Sequence, residues 1–115
     1  MSEQDFTNLE SLNLSYNKIS PESLRNLYQI SNLKVLDLAA NNFESLPEDM
    51  FHFKKLEELN LSSNFFSSVP TQGSPDVLFK TIGGITRLKR LNLSRNKFFK
   101  FHSGMLDRHN DFVQL

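Results

Sequence analysis

Leu33-Lys34-Val35-Leu36-Asp37-Leu38-Ala39-Ala40-Asn41-Asn42-Phe43 is the stretch on which the reading of this chain turns. Its spacing is leucine-x-x-leucine-x-leucine-x-x-asparagine, with an apolar residue two places further on. The same spacing returns at Leu9, Leu12, Leu14, Asn17 and Ile19, at Leu56, Leu59, Leu61, Asn64 and Phe66, and at Leu88, Leu91, Leu93, Asn96 and Phe98. A repeat of this period marks a stack of units, each of which buries its apolar face only against the next. Within each copy the central x-Leu-x-Leu-x piece alternates, which is the period of a strand with one buried face. The inner leucines of the four copies therefore point inward. The long crossovers between copies predict a parallel ladder with rungs about 4.8 Å apart.

The repeated asparagine, at 17, 41, 64 and 96, stands where the chain leaves the strand and turns across the core. Backbone groups buried there need partners, and an asparagine amide both donates and accepts. These four residues are expected to be structural rather than catalytic. The connecting segments differ from one another. Ser20-Pro21-Glu22, followed by Leu24, Leu27, Ile30 and Leu33, reads as a capped helix with proline in its first turn. Leu46-Pro47-Glu48-Asp49-Met50-Phe51-His52-Phe53 reads as a shorter, irregular crossover. The third detours through residues 67–73 before a Ser74-Pro75-Asp76 helix start, with Val77, Leu78 and Ile82 as its apolar residues and Gly83-Gly84 as its stop. The copies begin 24, 23 and 32 residues apart, so the third coil bulges. Of the eleven phenylalanines, Phe43, Phe51, Phe53, Phe66, Phe98 and Phe101 are expected to face inward and fill a thin core.

On these residues the chain resembles the leucine-rich repeat family of the intracellular type, from Leu9 to Leu115. The resemblance implies an α/β solenoid of about four coils. Its parallel sheet would line the concave face, with helices and irregular turns on the convex face, and binding would run through the variable strand residues. The long third coil and Leu88-Lys89-Arg90-Leu91-Asn92-Leu93 also look similar to the X-ray radiation resistance-associated protein group.

Outward strand positions form columns across the copies: Ser11, Val35, Glu58, Arg90, then Asn13, Asp37, Asn60, Asn92, then the small Ser15, Ala39, Ser62, Ser94. Beyond them come Tyr16, Ala40, Ser63, Arg95 and then Lys18, Asn42, Phe65, Lys97. The second and third columns read as repeat consensus. The candidate protein-binding residues on the concave face are Tyr16, Val35, Glu58, Phe65, Arg90 and Arg95. Charge is uneven: residues up to Glu58 hold 5 basic and 10 acidic side chains, and the rest hold 8 basic and 3 acidic. Arg87, Lys89, Lys97 and Lys100, with Arg90 and Arg95, make a basic patch free of acidic residues. Such a patch suits an acidic protein surface, microtubule tails included.

A chain of 115 residues is expected to be a single domain, 1–115, with repeats starting near 9, 33, 56 and 88. Phe112 and Leu115 read as the opening of a truncated fifth repeat, with Leu115 as its first leucine, which suggests a fragment or an uncapped part of a longer solenoid. Only Phe6 is available to cover the first coil. Balanced charge, 13 basic against 13 acidic, gives no case for nucleic acid. With no cysteine there is no disulfide framework and no thiolate zinc site. The polar start Met1-Ser2-Glu3-Gln4-Asp5 and the lack of a run near ~18 apolar residues predict an intracellular, non-membrane protein. Three Asn-x-Ser triplets, at Asn13, Asn60 and Asn92, lie on the strands and read as ordinary strand residues.

His52, His102 and His109 lack zinc-site spacing, even with Asp107 and Asp111 beside the last, and Gly83-Gly84 lacks the rest of a phosphate loop. No catalytic residue, cofactor or metal is expected. The sequence thus predicts a non-enzymatic interaction scaffold or architectural part of a larger cytoplasmic assembly, in a cytoskeletal or ciliary setting. A regulatory or adaptor subunit of a phosphatase or ubiquitin ligase complex is the alternative.

Overall fold

Alternating leucines form strands where the repeat places them: β1 (Ser11–Asn13), β2 (Val35–Asp37), β3 (Glu58–Asn60) and β4 (Arg90–Asn92), followed by β5 (Val113–Gln114). The computed structural model describes residues 8–66, 76–97 and 113–114. All neighbouring strands are parallel and hydrogen-bonded in chain order, in one five-stranded sheet. Register follows the repeat residue for residue, with Leu12 opposite Leu36, Leu36 opposite Leu59 and Leu59 opposite Leu91. Strands of three residues contribute little alone, so the ladder depends on what its inner face buries. Leu36, Leu38, Leu59, Leu61, Leu91 and Leu93 are all buried, each contributing about 1.5–3 kcal/mol. At the β1 edge Leu12 and Leu14 are only half-buried.

The fifth rung corrects the sequence expectation. Val113 pairs with Leu91 and Gln114 with Asn92, so residue 113 holds the position of the second repeat leucine and the rung begins ahead of Leu115. Backbone hydrogen bonds set a parallel rung, and valine is a strong strand former in its own right.

The crossovers pack on the buried face of the sheet, where Leu24, Met50, Phe53, Phe79, Ile82 and Ile85 join the strand leucines in one core. The first is a 3-10 helix, Pro21–Gln29, whose Ser20 hydroxyl accepts a hydrogen bond from the Ser23 amide. Apolar residues exactly three apart suit its three-residue turn. The second crossover is a single 3-10 turn, Met50–His52. The third contains α1 (Asp76–Gly83), where Phe79 and Ile82 are buried and Leu78 half-buried. Phe79 was not among the residues expected inside. The expected Ser74-Pro75 start, the 67–73 detour, the Val77 side chain, Phe6, Phe98 and Phe101 lie outside what is described.

Phe51 is a second correction: it is 53% exposed, while its neighbours Met50 and Phe53 are buried. A one-turn crossover has room to bury its two flanking side chains and must turn the middle one outward. Phe43 and Phe66 do face inward, their rings stacked 6.4 Å apart.

The asparagines hold successive coils together. Asn41 Oδ1 accepts from the amides of Asn17 (3.1 Å) and Ile19 (3.0 Å), and Asn64 Oδ1 from those of Asn41 (2.9 Å) and Phe43 (3.0 Å). Asn96 Oδ1 accepts from the Phe66 amide at 3.0 Å. In return Asn64 Nδ2 donates to the carbonyls of Leu38, Leu61 and Ser62. One side chain thus satisfies the turn of its own coil and that of the coil before it.

Candidate protein-binding site

The parallel register brings the first outward column together on the open face of the sheet: Ser11, Val35, Glu58 and Arg90 lie side by side on successive rungs. Val35 and Glu58 are half-buried and Arg90 is exposed. Arg90 Nη1 donates to Glu58 Oε1 at 2.7 Å. The next column fixes the strand ends, because Asn13, Asp37, Asn60 and Asn92 each accept from the amide two residues on. That local bond gives this column a structural use at the strand ends.

Just before the strands runs a column that the sequence reading passed over: Glu10, Lys34, Glu57 and Lys89. Its charges alternate, with Lys34 Nζ 3.5 Å from Glu10 and Lys89 Nζ 3.7 Å from Glu57. Reading the repeat one position earlier across the four copies would have revealed it. These exposed pairs are worth little in stability, a fraction of a kcal/mol each, about 0.2–1. Their effect is on the surface field. Two members of the expected basic patch are answered from within the chain, since Lys89 meets Glu57 and Arg90 meets Glu58. Arg87 and Arg95 are exposed and, among the described residues, reach no carboxylate. Lys100 lies outside the described residues.

Beyond the strands the turns of successive coils stay in step. The Tyr16 amide donates to Ala39, that of Ala40 to Ser62 and that of Ser63 to Ser94, at 2.9–3.0 Å. Tyr16, Ala40, Ser63 and Arg95 all take left-handed backbone angles, with φ of 62°, 55°, 56° and 58°. Tyr16 is 82% exposed and Phe65 41%. Lys97 Nζ lies 4.8 Å from the centre of the Phe65 ring, a cation–π contact. The structure therefore sorts the six candidate residues into two rows: Val35, Glu58 and Arg90 on the strands, and Tyr16, Phe65 and Arg95 on the turns beside them.

The crossover side carries a different chemistry. Tyr28 donates its hydroxyl to Asp49 Oδ1 at 2.8 Å, and Arg25 Nε approaches the same carboxylate at 3.3 Å. Burial, then the bond to Asp49, pushes the Tyr28 phenol well above its ordinary value. The Tyr28 hydroxyl holds the Asp49 carboxyl below the usual carboxylate range, helped by Arg25. The rings of Tyr28 and Phe51 each lie against His52, at 5.1 and 4.4 Å. Beside them Glu48, Phe51, Lys80, Thr81 and Gly84 line an open cleft of about 370 Å³. No group of metal-ligating side chains occurs among the described residues.

A parallel ladder of leucine strands joined by asparagine turns defines a leucine-rich repeat protein, and comparison with known proteins agrees. Leucine rich repeat family models match residues 31–74 and 7–27, together more than half of the chain. The chain belongs to the leucine-rich repeat family. It is 43% identical over 63 residues to Receptor like protein 21 of Arabidopsis thaliana, covering 54% of this chain and 6% of that protein. It is 35% identical over 99 residues to Tsukushi-A of Xenopus laevis, covering 86% and 26%. X-ray radiation resistance-associated protein 1 of Mus musculus is 31% identical over 114 residues, covering 84% and 14%. The chain thus spans about a quarter or less of each of these relatives. Leucine-rich repeats are in general protein-binding modules and typically non-enzymatic.

Proposed function

We propose that this chain is a non-enzymatic scaffold within a larger intracellular assembly, and that it binds an acidic protein segment on the sheet side of its last coils. In this reading the coils form a curved solenoid, with the open face of the sheet concave. The observation that carries it is the charge left over after internal pairing. Glu57 and Glu58 answer Lys89 and Arg90, but Arg95 remains exposed beside Lys97, whose ammonium rests on the Phe65 ring, and among the described residues neither cation meets a carboxylate. An acidic segment completes that arrangement and replaces water at two cations and at the half-open Phe65 ring. Internal ion pairs hold the neighbouring strand charges in place, which lowers the entropic cost of binding over them. The cysteine-free sequence supports a reducing, intracellular setting, and a cytoskeletal surface with acidic tails is the partner class this chemistry suits best.

The test is a fluorescence-anisotropy titration with a labelled dodecapeptide of four Gly-Gly-Glu units, repeated for Arg95→Glu and Lys97→Glu. Both side chains are exposed, so the fold is retained. Each reversal is expected to weaken binding several-fold, and rising salt is expected to weaken binding to the wild type. Unchanged affinity in both variants would remove the reading.

A further inference from the structure

The turn ridge beside the sheet has a chemistry of its own. Its four turns, residues 16–19, 40–43, 63–66 and 95–97, contain Lys18, Arg95 and Lys97 and no carboxylate. Among the described residues, the two exposed rings of the sheet side, Tyr16 and Phe65, both stand on it. The turn between theirs offers only the small Ala40 and Asn42. The hydrogen bonds from turn to turn keep the turns at the spacing of the sheet. The turns bearing the two rings are two rungs apart, about 9.6 Å along the ridge, and Tyr16 stands two positions earlier in its turn than Phe65 does in its own.

We propose that this ridge binds an acidic, proline-rich segment in the polyproline II conformation, an inference that rests on the sheet side being the partner side. A polyproline II helix has three residues per turn and rises about 9.3 Å per turn. A segment crossing the coils obliquely sets every third residue against the ridge, so one proline ring packs on Tyr16 and another, one turn later, on Phe65. Acidic residues in the same segment face Lys97, Arg95 and Lys18. Aromatic-lined surfaces take such helices at low entropic cost because the ligand is already extended. An aromatic and basic ridge also suits a single-stranded nucleic acid. Against that, the four turns hold three cations, Lys18 on the first coil and Arg95 and Lys97 on the last, with none on the two turns between, which suits a segment charged at intervals better than a uniform polyanion.

The test compares four labelled probes by anisotropy under one buffer: dodecapeptides of Pro-Pro-Glu, Gly-Gly-Glu and Pro-Pro-Lys units, and a twelve-residue oligothymidylate. The expected order places Pro-Pro-Glu at least tenfold tighter than any other. Tyr16→Ala and Phe65→Ala each lower that affinity roughly tenfold, as anchoring side chains do. Phe51→Ala, which removes an exposed ring on the opposite side, leaves it within twofold. Melting curves confirm that each variant is folded. Equal binding of Gly-Gly-Glu and Pro-Pro-Glu overturns the polyproline inference and leaves the acidic-partner reading intact. Binding of neither overturns both. Tightest binding of the oligothymidylate, or of Pro-Pro-Lys, overturns the proposal, as does an equal loss in Phe51→Ala.

Discussion

Replacing Asn64 with alanine is the sharpest test of how the coils are joined. The side chain is 3% exposed and makes five hydrogen bonds. Three go to carbonyls that have other donors: Asn41 Nδ2 also reaches Leu38, Asn96 Nδ2 also reaches Leu61, and the Ala40 amide also reaches Ser62. Those acceptors keep a partner when Asn64 is truncated. Among the described residues the amides of Asn41 and Phe43 have no such reserve, and both residues are buried. An orphaned buried donor costs about 1–3 kcal/mol, so losing two predicts about 4 kcal/mol. That is a large share of the 5–15 kcal/mol typical of a whole domain, about a third or more. Asn17 supplies the contrast. Its exposed side chain donates to Leu14 and Ser15 and, among the described residues, accepts no hydrogen bond from another coil, so Asn17→Ala is expected to cost about 1 kcal/mol or less. Urea unfolding followed by circular dichroism measures both. A loss at Asn64 below about 1 kcal/mol, or one equal to that at Asn17, would refute the bridging role.

Other expectations follow from single sites. Ala40→Gly relieves a left-handed backbone at φ 55° and should stabilise the chain by about 0.5–1 kcal/mol in the same urea assay; Ser63→Gly should behave alike. Phe53→Ala empties a buried site and should cost about 3–5 kcal/mol, whereas Phe51→Ala should cost under about 1 kcal/mol. The raised Tyr28 phenol stabilises the fold below the ordinary tyrosine value, and that share is lost as pH rises above it. Tyr28→Phe should therefore flatten the alkaline side of a stability profile measured above pH 10. The depressed Asp49 carboxyl works in the other direction: its share is present above the ordinary aspartate value and lost as pH falls through the lowered one. Nuclear magnetic resonance titration of Asp49 should show that value moving back up in Tyr28→Phe.

The ladder was legible because its signal is periodic and local. Leucine alternation sets strand faces, and equal spacing from leucine to asparagine sets register, so the pairing of Leu12, Leu36, Leu59 and Leu91 could be read from the letters alone. The first crossover was legible as a capped helix but not as a 3-10 helix, because apolar residues three apart, such as Leu24, Leu27 and Ile30, suit an α-helix as well. Phe51 was misread because hydrophobicity shows that a ring wants burial but not whether a one-turn crossover has room for it. The fifth rung was misplaced because a leucine was sought where backbone pairing accepts valine. For the site, outward columns could be listed by counting, but charge compensation could not. Glu57 and Glu58 fall in the acidic part of the chain and Lys89 and Arg90 in the basic part, yet the fold sets them in contact. A patch defined by sequence runs misses such pairs, because neighbours in a ladder are one repeat apart.

The account turns on which side of the molecule meets a partner, and amide chemical-shift mapping during titration with the Pro-Pro-Glu dodecapeptide tests it most directly. The expected shifts centre on the strand and turn rows, at Val35, Glu58, Phe65, Arg90 and Arg95. Residues of the crossover side, such as Arg25, Phe51 and Lys80, should stay unmoved. Shifts that gather around the cleft of Glu48, Phe51, Lys80 and Gly84, with the strand rows silent, would contradict it.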